Sequence, residues 1–186
     1  MMYAFIAVLI FLLIIFFCSC VSKYNTMIKY RNSVEESLKL IDIHLKLRFD
    51  LIPNLVECVK GYCKHEEKVF NTLIELRKKG LATNDEKEKL EIANQTLPNI
   101  RHVIAISENY PELKADALFR SLMDELVVIE DKIAASRRFY DSNVNEYNTL
   151  IQTFPNSIIA SMFKFEKMEM YKIDAGENIN PKINME

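Results

Sequence analysis

Reactive residue types crowd together between residues 58 and 69, in "CVKGYCKHEEKV". Cys58, Cys63 and His65 are the types that hold zinc, and "HEEKV" opens like the HExxH of a zinc protease. The spacing defeats both readings. Cysteines five apart on a helix project ~140° apart, so they cannot face one ion without distortion. No second Cys/His pair follows at zinc-ribbon or finger spacing, and Val69 stands where HExxH needs its second histidine. Small buried thiols account for Cys58 and Cys63 better. His44, His65 and His102 fall on separate expected helices, at surface or rim positions. Acidic pairs such as Glu35–Glu36, Glu66–Glu67 and Glu130–Asp131 are adjacent, and neighbours on a helix diverge by ~100°, so none forms a general acid/base dyad alone. The chain reads as a non-enzyme with no metal, cofactor or evident small-molecule substrate.

Two arginines are harder to place. Arg31 and Arg48 fall on or beside the apolar stripe of the first amphipathic helix, and Glu130, Arg137 and Asn148 lie near the stripe of the fourth. A buried charge must be paired or it costs several kcal/mol. Polar links between these helices are therefore expected, for instance Arg48 with Glu130 or Asp50 with Arg137. The alternative is that the long side chains snorkel at the rim.

The elements that would position these residues follow from composition and periodicity. Of 186 residues, 49% are apolar and 27% charged, which suits a folded core. Only Gly61, Gly80 and Gly176 are glycine, too few for phosphate-cradling loops or a turn-rich β fold. The net charge of −2 gives no reason to expect nucleic acid as a partner.

Tyr3 to Val21, "YAFIAVLIFLLIIFFCSCV", carries no charge, proline or glycine, and thirteen of its residues are Leu, Ile, Phe or Val. As a helix it spans ~29 Å, enough for a hydrocarbon core of ~30 Å. The expected first partner is therefore the lipid bilayer, through residues 3–21. A secretory signal peptide would have a basic n-region and a shorter apolar run. No Lys or Arg precedes the span, whereas Lys23, Lys29 and Arg31 follow it. The positive-inside rule then gives a single-pass cell-membrane protein with its bulk in the cytoplasm. The alternative is a lipoprotein cleaved before Cys20, since "FCSC" loosely resembles a lipobox, which would put the body outside.

Beyond the span, apolar residues recur at helical spacing. The first helix, from Ser22 to about Phe49, carries Met27, Val34, Leu38, Ile41 and Leu45. The second, Pro53 to Lys79, carries Leu55, Val59, Tyr62, Phe70, Leu73 and Leu76. "TNDE" offers a Thr83–Glu86 capping box, and a third helix runs to Tyr110 with Leu90, Ala93, Leu97, Ile100 and Ile104, kinked at Pro98. Asp116 can cap a fourth, from Ala117 to Phe154, whose stripe includes Phe119, Leu122, Ile133, Ser136, Tyr140, Val144 and Phe154. Comparable lengths favour an antiparallel up-and-down four-helix bundle, with coiled-coil-like stripes. "RFDLIPN", residues 48–54, then reads as a helix-to-helix corner with Asp50 as cap. One long helix kinked at Pro53 is the alternative.

Two further features concern the end of the body nearest the bilayer. "KYNTMI" at 23–28 is echoed by "EYNTLI" at 146–151. Just beyond, Ile158, Ile159, Met162, Phe163 and Phe165 are mixed with Lys164, Lys167 and Lys172, a pattern that suits a membrane-interface segment. Covering the open end of the bundle is the alternative use of the same residues.

"YNTMIKYRNSV", "IDIHLKLRFDLIPNLVECVKGYCKHE", "YPELKAD" and "RRFYDSNVNEYNTLIQTFPNSIIASMFKF" together resemble the LemA family of bacterial membrane proteins, in family order and over most of residues 24–165. Departures are local: Leu38 stands at a usual tryptophan, Leu47 at the first of two arginines, and Asp141 at an asparagine. The resemblance implies an N-terminal anchor, an up-and-down bundle, and no established enzymatic activity or catalytic residues. The expected organisation is all-α: a transmembrane helix (1–21), a LemA-like bundle (22–165) and a mobile C-terminal tail (166–186). The expected role is a scaffold or adaptor for an unknown protein partner. The alternatives are an accessory subunit of a membrane protease or signalling complex, or an enzyme using polar residues between the first and fourth helices.

Overall fold

The computed structural model describes residues 1–63 and 66–171, apart from the side chain of Lys87. Helices alone make up the regular structure of those residues: α1 (Met2–Lys60), α2 (Glu67–Ala82), α3 (Glu86–Ser107), α4 (Pro111–Ala115), α5 (Ala117–Gln152) and α6 (Asn156–Met162). The chain divides into two compact units, Met1–Ser37 with Arg138–Glu186, and Leu38–Arg137.

α1 corrects the corner expected at residues 48–54, because the helix runs unbroken through Pro53. A proline inside a helix leaves the carbonyl four residues earlier without its N–H donor, here that of Phe49. Arg77 of α2 fills the gap: its Nε donates to the Phe49 carbonyl at 3.0 Å. Arg77 Nη2 also lies 3.6 Å from Asp50, so Asp50 is a mid-helix partner rather than a cap. The helix stops at Lys60, about eleven residues beyond the end expected at Phe49, where Tyr62 and Cys63 both donate to the Val59 carbonyl at 3.0 Å.

Within Leu38–Arg137 the core takes Ile41, Leu45, Phe49, Ile52, Leu55 and Val59 from α1 and Phe70, Leu73 and Leu76 from α2. Gly80 permits the closest approach. A Cβ there would lie 2.6 Å from Phe49 Cε2 and 3.0 Å from Cε1. α3 buries Ile92, Ala93, Thr96, Ile100, Val103 and Ile106, a face rotated from the expected one, which leaves Ile104 exposed. Apolar types lie on both sides of this helix, so two stripes overlap. Thr96 fits the buried one because its hydroxyl bonds back to the Ala93 carbonyl at 2.7 Å. Pro98 lies inside α3. Thr83 accepts from the Asp85 N–H at 3.1 Å and donates to Glu88, so the box expected with Glu86 is replaced by a shorter turn. Asp116 caps α5 as its sequence position suggests, accepting from the N–H groups of Leu118 (2.8 Å) and Phe119 (3.0 Å).

The other unit is built on Met27 and Val34 of α1, Val144, Tyr147 and Ile151 of α5, and Ile159 and Ala160 of α6. α6 ends in a Schellman motif: Phe165 N–H reaches the Ala160 carbonyl at 2.9 Å, Lys164 N–H reaches Ser161 at 3.3 Å, and Lys164 is left-handed at φ 56°. That reversal sends residues 165–171 back along α5. Of the segment expected to be a tail, 166–171 carry hydrogen bonds to α5, and 172–186, including Lys172, lie outside the described residues. Residues 1–19 are exposed throughout. α1 is thus long and apolar enough at its N-terminal end to cross a membrane.

Candidate functional site

Arg48 is the largest fully buried side chain, with 1% of its side chain exposed. α1 places it on the apolar face, one turn from Leu45 and Ile52, where only a paired charge is tolerable. Its Nη1 donates to both carboxylate oxygens of Glu130 on α5, at 2.9 and 3.2 Å. Glu130 keeps 31% of its side chain in solvent, so the pair is anchored at one end and hydrated at the other. Burial pulls the guanidinium's pKa down; the Glu130 charge and hydrogen bond oppose that, and the Arg137 charge adds to it.

The other polar residues singled out in this layer go to different partners. Arg137 donates to Asn94 Oδ1 of α3 at 3.2 Å, and Asp50 lies against Arg77. His44 Nδ1 is 3.2 Å from Ser136 Oγ. Burial, and then the Lys132 charge, lower the pKa of that imidazole. Arg48 Nε and Nη2 have no hydrogen-bond partner among the described residues. Arg48 also lines a cavity of about 10 Å³ with Leu51, Ile52, Leu55, Ile100 and Leu126, which is room for a single water.

The residues considered for zinc lie apart from any such cluster. Cys58 and Cys63 are free thiols. Burial first, then the charge of Asp116 for one and Glu66 for the other, push both thiol pKa values up, away from the thiolate a metal needs. His65 lies outside the described residues. His102 faces Glu66 at 3.8 Å on the surface. Among the described residues no three His, Cys, Asp or Glu side chains are placed to hold a metal ion.

At the N-terminal end of the body, α6 divides the five interface candidates. Ile159 is buried and Phe165 half-buried, whereas Ile158, Met162 and Phe163 are 61%, 64% and 51% exposed. Phe154, expected on the buried stripe, is 82% exposed, because α5 has ended at Gln152 and the chain turns away. The Tyr24 ring meets Phe163 at 4.7 Å and Phe165 at 5.7 Å between centroids. Tyr147 donates to the Glu166 carbonyl at 3.1 Å, so both tyrosines of the repeated "YNT" grip the same segment. Asn148 holds it reciprocally, donating to the Met168 carbonyl and accepting from the Met168 N–H, each at 2.9 Å. Tyr140 donates to the Glu169 carbonyl at 3.0 Å, and Asp141 accepts from the Tyr171 N–H at 2.8 Å.

Sequence reasoning missed Arg77 and this strap. The proline signalled an orphaned carbonyl at Phe49, but nothing in the sequence says which donor, 28 residues on, would serve it. The strap's polar partners are backbone groups, which any sequence supplies.

The helical body with an apolar leader agrees with the comparison to known families: the LemA family model matches residues 37–185. The chain belongs to the LemA family. It is 25% identical over 161 residues to Protein LemA of Metamycoplasma hominis, covering 86% of this chain and 71% of that relative. It is also 21% identical over 192 residues to magnetosome protein MamQ of Magnetospirillum gryphiswaldense, covering 89% of this chain and 71% of that one. MamQ 2 of Paramagnetospirillum magneticum is 20% identical over 183 residues, which span 84% of this chain and 67% of its own length. Membership of the LemA family and a leader compatible with one membrane crossing describe an all-helical protein of the membrane-associated kind.

Proposed function

We propose that this LemA-family chain is a non-enzymatic, single-pass scaffold or adaptor with its body in the cytoplasm. The body is an antiparallel up-and-down bundle of α1, α2, α3 and α5, using coiled-coil-like packing. The observation that carries the reading is α1 itself. One unbroken helix bears a fully exposed apolar stretch and then a buried face, so anchor and body share an element. A body joined to its anchor in this way presents surfaces at a fixed height over a bilayer, which is what a scaffold requires.

The polar layer supports a structural role. Arg48 and Glu130 meet beside a cavity with room for one water, whereas small-molecule sites measure ~300 Å³ or more. The open groove of about 400 Å³ lined by Tyr30, Asn145, Glu146 and Thr149 offers a single carboxylate and, among the described residues, no paired base. Cytoplasmic orientation is supported by Lys23, Lys29 and Arg31 following the span.

The test is affinity isolation of the full chain from detergent-solubilised membranes, combined with the double substitution Arg48→Met and Glu130→Met. A scaffold keeps its associated proteins in the double variant, and none is stoichiometric. A one-to-one partner would favour an accessory subunit instead, and a folded double variant lacking cellular function would favour an enzyme.

A further inference from the structure

The exposed side of α6 lies beside the helix that leaves the membrane, and this places it within reach of the lipid. If the span ends at Val21, Tyr24 stands ~4.5 Å further along α1. A headgroup layer is roughly 5–7 Å deep, half the difference between the full bilayer and its hydrocarbon core. The Phe163 ring, 4.7 Å from the Tyr24 ring, is therefore within ~9 Å of the hydrocarbon boundary. Tilting α1 toward the side that carries α6 brings it closer to the lipid.

At that level the surface is apolar where a water-facing surface should be polar. Ile158 and Met162, one helical turn apart, point outward with Phe163 and the preceding Phe154, while Ile159 and Ala160 fill the core behind them. Cys20, still within the span, packs on that same core. The end of the leader and α6 thus share one core. Lys23, Lys164 and Lys167 flank it, and Glu166 and Glu169 accompany the last two, so the local net charge is only +1 and apolar insertion, not headgroup charge, dominates.

We infer that Phe154, Ile158, Met162 and Phe163 form a wedge that enters the headgroup–acyl boundary of the bilayer crossed by residues 3–21. The wedge gives the membrane-proximal unit a second attachment, so the leader cannot rotate freely beneath it. The inference rests on the proposed reading that the leader spans a membrane.

The chain contains no tryptophan, so single reporters are unambiguous. Full-length Phe17→Trp, Ile158→Trp and Ile43→Trp would be reconstituted in phosphatidylcholine–phosphatidylglycerol nanodiscs containing brominated acyl chains. Ile43 lies ~33 Å beyond Val21 along α1 and is exposed. The expected result is quenching of Phe17→Trp and Ile158→Trp, the latter strongest with bromines near the headgroup end, and none at Ile43→Trp. Quenching of Phe17→Trp with Ile158→Trp matching Ile43→Trp would overturn the wedge alone, including when Ile158→Trp is shielded from acrylamide by a second copy or a protein partner. An unquenched Phe17→Trp would overturn the membrane reading as well. Met162→Trp repeats the measurement if Ile158→Trp loses helicity.

Discussion

The guanidinium of Arg77 sits where an amide should be: its Nε donates to the carbonyl of Phe49, the acceptor that Pro53 abandons. A side chain from α2 thereby completes the hydrogen bonding of α1. Leaving a half-buried carbonyl unmet costs ~1–3 kcal/mol. Arg77→Met should destabilise the protein by about that amount in urea unfolding. Pro53→Ala restores an N–H at the right place, so in that background the cost of Arg77→Met should shrink by at least ~1 kcal/mol. Equal costs in the two backgrounds would reject the substitution of one donor for the other.

The Arg48–Glu130 pair should behave asymmetrically, because its two ends differ in burial. Glu130→Met leaves a buried guanidinium without its carboxylate and should cost ~3–5 kcal/mol. Arg48→Met leaves a carboxylate that can rehydrate and should cost less. The double variant Arg48→Met with Glu130→Met should recover to within about 1 kcal/mol of the parent, as apolar replacements of buried pairs do. Chemical denaturation of the four proteins gives the coupling directly.

Gly80→Ala tests the contact between α2 and α1. Alanine gains up to ~1 kcal/mol of helix propensity, but its methyl would overlap the Phe49 ring. Overpacking typically costs ~1–3 kcal/mol. The expected result is a lower Tm, and Gly80→Ala combined with Phe49→Leu should restore part of the loss.

Asp116 contributes an acid dependence. The Phe119 N–H, the Tyr62 hydroxyl and the Leu118 N–H hold its carboxyl below the usual 3.8, against a smaller opposing effect of burial. With the folded pKa depressed, the unfolded chain binds the proton first. The cap's electrostatic contribution is therefore complete above 3.8 and is lost as the pH falls through the lower folded value. Asp116→Asn keeps a capping oxygen but should flatten that part of the acid-stability profile, read by Tm between pH 2 and 5.

How far the sequence carried these conclusions depends on whether the deciding contact was local. The Asp116 cap was legible, since a side chain two and three residues from its donors needs no tertiary information. The faces of α1 and α5 were legible because Met27, Val34, Ile41 and Leu45, like Leu122, Ile129 and Ile133, recur in one register. Arg48 and Glu130 stood out as charges within such stripes. The path through Pro53 was not legible, because the rescue comes from Arg77. In α3 two overlapping stripes hid which face is buried, and Thr96 took a place an aliphatic residue was expected to hold. At α6 the five interface candidates divide between core and surface only once Lys164 turns the chain back.

The most direct test of the account is whether α1 is one rod. In full-length protein lacking its native cysteines, spin labels at Ile43 and Lys60, both exposed, are separated by seventeen helical residues, or ~26 Å between backbones. Pulsed electron–electron resonance in nanodiscs should return a single narrow distribution near that value plus the label tethers. A corner at residues 48–54 would lay the two positions side by side at ~8–10 Å between helix axes, and a distribution centred there would contradict the account.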